Sequence, residues 1–252
     1  MGRFTSFKNQ DSSSGRGDFE GYGASTRFGG ISLAGAAWAP VEGNLKVAAY
    51  ASELDDAWRQ GYLSVEAHKG IWSIGLNLYR TVDEGAAKAG SIDTVAYSIL
   101  NQITLGNHAL SIAFQHIDGD TPFDFVGGDS IYLANSIKFA DFNGPGESSW
   151  GVRWRWKASA FGLTGLSLAT TYVRGSSIDG THAPASGPYY AAQGTGGRHW
   201  ERDLELSYAL QSGVAKGLTV GVAQVVHRAN SAQAGPDIDR LYFVAQYPLD
   251  IY

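Results

Sequence analysis

Along most of the chain, apolar and polar residues alternate one by one, and the helical repeat of 3.6 hardly appears. The alternation predicts strands over roughly 28–39, 44–53, 58–67, 71–80, 94–105, 108–117, 149–158, 166–174, 200–211, 217–227 and 238–247, with a further segment near 17–23. Each is about the ten residues that a tilted strand needs to cross a bilayer core. One parity is apolar throughout: Leu45, Val47 and Ala49; Trp72, Ile74, Leu76 and Leu78; Leu110, Ile112 and Phe114; Leu204, Leu206 and Tyr208. The other is small or polar: Lys46 and Tyr50; Ser73, Gly75 and Asn77; Ser111, Ala113 and Gln115; Asp203, Glu205 and Ser207.

The run SSWGVRWRWKAS (148–159) carries this contrast furthest. Trp150, Val152, Trp154 and Trp156 fall on one face, and Gly151, Arg153, Arg155 and Lys157 on the other. A soluble sandwich also alternates, with its apolar face inward. Connection lengths separate the two architectures. Tight turns, PVEGN (40–44), HKG (68–70), LGN (105–107) and SGVAKG (212–217), mark one rim, while most joins at the other are long: 81–93, 118–148, 175–199 and 228–237. Short turns on one side and long loops on the other are the rhythm of a membrane β-barrel. On that reading the tryptophans face lipid, some in an interfacial belt, and the cations face an aqueous lumen.

Composition narrows the class. The 252 residues include 13 tyrosines and 7 tryptophans, suited to a boundary between apolar and wet media. A net charge of -5 provides no electrostatic case for nucleic acid. No apolar run is long enough for a transmembrane helix, which says nothing against a barrel. Cysteine is absent, and the opening residues contain no apolar segment of a signal peptide. No catalytic constellation emerges. The six histidines lack the spacing of a metal site, so neither metal nor cofactor is expected. Asp55 and Asp56 read as a solvated tip, Ser130 beside Asp129 has no histidine near it in sequence, and GTGG (194–197) lies in a loop rather than between strand and helix.

Several segments go beyond patterning. YRTVDEGAAKAG (79–90), GDTPFDFVGGDSIYLANS (119–136), DFNGPGESSW (141–150) and the closing YPLDIY (247–252) resemble the OprD family of outer-membrane porins. So do GRFTS near the start, ELDDAWRQGYL (53–63), IDGT (178–181), YALQSGVAKGL (208–218) and HRAN (227–230). The likeness runs in one order along the whole chain. It implies an all-β transmembrane antiparallel up-and-down barrel, with about eleven or twelve strands here against eighteen in the family, so that residues 1–252 correspond to the C-terminal portion of such a barrel. Eleven strands would enclose a backbone cylinder of roughly 22 Å, against about 36 Å for eighteen.

The resemblance further implies a passive, substrate-selective channel for small polar solutes, namely carboxylates or amino acids, with no catalytic step. Loop 118–148 is expected to fold inward, with Asp129, Ser136, Phe139 and Asp141 at the constriction; Phe139 stands where the family often has tyrosine. Arg153 matches a lumen-facing arginine of the family. Gly221, Ala223, Thr171 and Tyr242 occupy positions where relatives carry arginine, so much of the expected cationic track is absent or moved. The pore wall is assigned to Arg153, Arg155, Lys157, Asp203, Glu205 and Arg240. The partners expected are small-molecule solutes and outer-membrane lipid, with a homotrimer as an option. Two alternatives are a non-conducting barrel with a surface or adhesive role and a truncated, non-functional porin fragment.

Overall fold

The structure, a computed structural model, describes residues 1–6, 19, 29–40, 43–126 and 131–248. Twelve strands form one sheet: β1 (Gly2–Phe4), β2 (Ile31–Trp38), β3 (Leu45–Leu54), β4 (Trp58–Lys69), β5 (Trp72–Asp83), β6 (Asp93–Leu105), β7 (His108–Asp118), β8 (Ser148–Lys157), β9 (Leu166–Asp179), β10 (Thr195–Ala209), β11 (Thr219–Ala229) and β12 (Ile238–Gln246). Each strand pairs with its sequence neighbours and with no other, an uninterrupted up-and-down meander. Among the described residues no pairing joins β12 to β1.

All eleven expected strands are present within a few residues of their expected bounds, except that β9 and β10 run five residues further toward the long-loop rim. The twelfth is Gly2–Phe4 on β2. The expected segment 17–23 lies outside the described residues apart from Phe19. Gly70 and Gly106 take left-handed φ values of 59° and 55° in the turns after β4 and β6, which a β-carbon would disfavour. A short 3-10 turn, Ala158–Phe161, joins β8 to β9.

Among the described residues no second sheet covers the apolar face, so the sandwich alternative does not hold. Ile112 is 60% exposed, Phe114 41%, Trp150 47% and Val152 37%. These residues sit side by side in the ladder, Ile112 opposite Val152 and Phe114 opposite Trp150. A continuous apolar surface of this extent is unfavourable in water and costs nothing against hydrocarbon. Aromatic groups flank it. Trp154 and Trp156 stack on His108 at 5.9 and 6.5 Å near the short turns. Toward the long loops, Tyr172 lies between Trp150 at 5.6 Å and Trp200 at 5.9 Å. Trp150 and Trp156 are six residues apart, about 20 Å of strand.

The buried core lies on the opposite face, between the sheet and its own loops. Tyr79, Ala96 and Ile117 pack on Phe123 and Leu133, while Val173 packs on Ala140 and Phe142. A third cluster gathers Leu54, Ala57, Trp58, Ala89 and Ile92 at the long-loop rim.

Candidate pore constriction and wall

The segment between β7 and β8 lies against the small-and-polar face because that face supplies hydrogen bonds for its backbone. Gln60 of β4 donates to the Asp124 carbonyl at 3.0 Å. The Tyr132 amide donates to the Tyr79 hydroxyl at 3.1 Å, and the Ala134 amide to Ser98 Oγ at 3.0 Å. Gln115 of β7 donates to the carbonyls of Asp141 and Phe142 at 2.9 and 2.8 Å and accepts from the Asn135 amide at 2.8 Å. Farther round the sheet, Glu201 of β10 accepts the amides of Phe139 and Ala140 at 2.9 and 2.7 Å. One irregular segment is thus tied to strands β4 through β10. Buried backbone groups without such partners would carry the full cost of lost hydration.

Two glycines make room for this approach. A β-carbon at Gly151 would come within 2.6 Å of Asn135 Oδ1, and one at Gly175 within 1.8 Å of Glu147 Oε1. The absence of side chains at these two positions lets the segment sit flush on β8 and β9.

Of the residues expected at the constriction, Ser136, Phe139 and Asp141 lie together on this segment. Ser136 Oγ donates to Asp141 Oδ1 at 2.6 Å, closing a turn in which the Ile137 amide donates to the Ala140 carbonyl at 3.1 Å. Burial pushes the Asp141 carboxyl above its ordinary value, and the Ser136 hydroxyl partly offsets the rise. Phe139 packs at 5.0 Å from the His227 ring, and the Arg240 guanidinium lies over its face, 5.3 Å from its centre. Asp129 lies outside the described residues.

The expected wall residues all fall on the inner parity. Across the ladder Arg153 is opposite Thr171, Thr171 opposite Asp203, Asp203 opposite Val225 and Val225 opposite Arg240. The next rung runs from Arg155 through Ala169 to Glu205. A cationic row on β8 therefore stands parallel to an acidic row on β10, with Ser167, Ala169 and Thr171 of β9 between them. A cavity of about 340 Å³ opens there, lined by Arg153, Arg155, Ser167, Thr171 and Glu205 among others. Arg153 is half-buried and donates to the Ala134 carbonyl, so it fastens the inward segment as well as charging the wall. Lys138 pairs with Glu205 at 2.9 Å. Arg155 and Lys157 are exposed and, among the described residues, have no ion-pair partner.

Sequence reasoning missed Glu147, His199 and His227, which form a buried chain. His199 Nε2 lies 2.7 Å from Glu147 Oε1, His199 Nδ1 lies 2.9 Å from His227 Nε2, and His227 Nδ1 lies 2.8 Å from the Pro236 carbonyl oxygen. Their separations of 52 and 28 residues leave no local signature; inner parity was the only available hint. Glu201 was missed as well, although its parity with Asp203 and Glu205 marked it as a wall residue.

An apolar belt outside, a charged and loop-lined face inside, and a meander of antiparallel strands define the wall of a transmembrane β-barrel. The comparisons agree. The chain belongs to the OprD family of outer membrane porins, whose family model matches residues 1–251. It is similar to Porin D of Pseudomonas aeruginosa, 36% identical over 266 residues covering 99% of this chain and 60% of that protein. A second relative, the porin-like protein GalP of Pseudomonas putida, is 28% identical over 81% of this chain and 47% of its own length. Among solved structures, P. aeruginosa OprD superposes with a TM-score of 0.85 at 37% identity, covering 92% of this chain and 64% of that one. P. aeruginosa OpdP gives 0.88 at 33% identity, covering 94% and 61%. The chain thus spans about three-fifths of the length of Porin D. The matched proteins are porins, not enzymes, and the family resides in the outer membrane.

Proposed function

We propose that this chain forms the wall and constriction of a passive diffusion channel selective for small polar solutes, with carboxylates or amino acids as the preferred class. The observation that carries the reading is the matching of two opposite rows on the inner face, Arg153 and Arg155 on β8 against Asp203 and Glu205 on β10, with a cavity between them lined by Arg153, Arg155 and Glu205. Fixed charges of both signs along a narrowed aqueous path select by sign and size without a bound cofactor. Within this reading Ser136, Phe139 and Asp141 border the narrowest part, Asp129 belongs to the same segment, and Arg240 adds a cation beyond Phe139.

P. aeruginosa OpdK, 29% identical and with a TM-score of 0.85, has been solved with vanillate, a small aromatic carboxylate. That ligand supports a carboxylate class here. With no arginine at Gly221 or Ala223, the cationic track lies on β8, on the other side of the acidic row, where Arg155 and Lys157 extend the family-matched Arg153.

The test is planar-bilayer recording under a salt gradient. Arg153→Ala combined with Arg155→Ala is expected to shift the reversal potential toward cation preference. An unchanged reversal potential rejects the assignment of the β8 row as the selecting group.

A further inference from the structure

The Glu147–His199–His227 chain has an unusual constraint: its hydrogen bonds fix the number of protons it holds. The Pro236 carbonyl can only accept, so His227 Nδ1 carries a hydrogen. The 2.9 Å link between His199 Nδ1 and His227 Nε2 requires one hydrogen, and the 2.7 Å link between His199 Nε2 and Glu147 Oε1 requires another. Three links need three protons. A carboxylate and two neutral imidazoles hold only two, so the intact chain carries one more and is electrically neutral as a unit. The arrangement that satisfies every atom places imidazolium at His199 against carboxylate at Glu147, whose Oε2 accepts the Gly144 amide at 2.9 Å. All three side chains are at most 4% exposed, where an unpaired charge would be costly and a neutral, fully bonded unit is tolerated.

The chain also ties two connecting segments to strands. Glu147 ends the inward segment, His199 is on β10, His227 is on β11, and Pro236 lies in the loop before β12. The segment's two phenylalanines rest on the imidazoles, Phe142 on His199 at 4.2 Å and Phe139 on His227 at 5.0 Å.

We propose that Glu147, His199 and His227 form a three-proton clasp that holds the 131–147 segment on the wall and releases it when the clasp gains or loses one proton. Loss of a proton leaves the lone pairs of His199 Nδ1 and His227 Nε2 facing each other. Gain of a proton at His227 Nε2 sets two N–H groups against each other and buries a net positive charge. Either change breaks the central link and disturbs the surfaces beneath Phe139 and Phe142. Docking of the segment is therefore tightest within a pH band and weakens on both sides. This extends the channel reading above, since the clasped segment is the one that narrows the lumen there.

Other ionisable groups face the clasp. Asp141 and Tyr189 line the same cavity. Glu201 lies two residues from His199 and holds the Phe139 and Ala140 amides. Arg240 stands over Phe139. Arg228 is paired with Asp239, and Asp237 accepts the Ala229 amide. Two conservative variants separate the clasp from all of these. Glu147→Gln supplies the third hydrogen from a carboxamide that does not titrate, so neutral imidazoles satisfy all links and the alkaline release disappears. His227→Gln cannot take up the fourth proton, so the acid release disappears.

The experiment is a titration of the full chain refolded in detergent micelles, following imidazole nitrogen shifts and amide exchange from about pH 4 to about pH 9. The expected result is a shared N–H between His199 and His227 in the middle of the range, lost at both ends. Exchange of the Phe139, Ala140 and Phe142 amides should rise about tenfold or more in step with each loss. Glu147→Gln abolishes only the alkaline limb and His227→Gln only the acid limb. Independent, ordinary titration of the two imidazoles with flat amide exchange overturns the proposal, as does an alkaline limb that persists in Glu147→Gln. The wild-type titration decides the question even where a variant does not fold. Because none of these readouts needs current, a chain that never conducts refutes the channel reading and leaves the clasp to be judged on its own.

Discussion

Phe139 shows how a single substitution is absorbed. Where the resemblance expects tyrosine, the phenyl ring contacts both the His227 imidazole and the Arg240 guanidinium. The lost hydroxyl is replaced by a cation over the ring face, an interaction of about 0.5–1 kcal/mol in an exposed setting. Asp141, two residues on, is held with its carboxyl value raised by burial. A group raised in this way contributes stability below its unfolded value and loses it as pH rises through the folded value. Above the unfolded carboxyl value the raised Asp141 therefore opposes docking of its own turn. Asp141→Asn, which still accepts from Ser136, is expected to slow exchange of the Ile137 amide at pH 7 relative to the native chain. The advantage should vanish on acidification, when Asp141 is protonated too. Exchange that is equal at neutral pH would refute this. That Ser136, Phe139 and Asp141 share one segment was legible in sequence. Their partners were not, because Arg240 and His227 arrive from strands about a hundred residues away.

The β8 strand states the argument at the scale of an element. Its alternation is complete: Trp150, Val152, Trp154 and Trp156 outward, Gly151, Arg153, Arg155 and Lys157 inward. The inward row is itself divided by contact. Gly151 admits Asn135, Arg153 fastens Ala134, and Arg155 and Lys157 stay exposed on the inner face. The outward face admits a direct test. Val152 lies between Trp150 and Trp154 in the apolar belt, where a cation must leave water for hydrocarbon. Val152→Arg should lower stability by about 2–4 kcal/mol, measured by denaturant unfolding in lipid bilayers. A cost near zero would mean that this face meets water. The period of two made both faces readable, since neighbouring side chains on a strand must point oppositely. The division of labour along the inward row was not readable, because it depends on which loop residue arrives opposite each position.

The whole molecule is organised as a curved wall whose apolar exterior replaces the usual interior, with the buried clusters formed beneath the loops. The far-ultraviolet strand signature and a monodisperse size are therefore expected in detergent micelles, with aggregation after transfer to plain buffer. A folded, monodisperse chain in buffer, seen by sedimentation and circular dichroism, would contradict the fold's orientation toward lipid. The sequence alone determined which residues form strands, which face of each strand is apolar and which rim carries the long connections. All three follow from interactions within a few residues: alternation along a strand, glycine at turns and the spacing between runs. Only the tertiary structure decided that the β8 cations stand one strand removed from the β10 carboxylates, which inner-face groups hold the segment after β7, and that Glu147, His199 and His227 meet. Those facts depend on strand register and on where a long loop finds donors and acceptors for its backbone, and such long-range pairings leave no periodic trace in the chain.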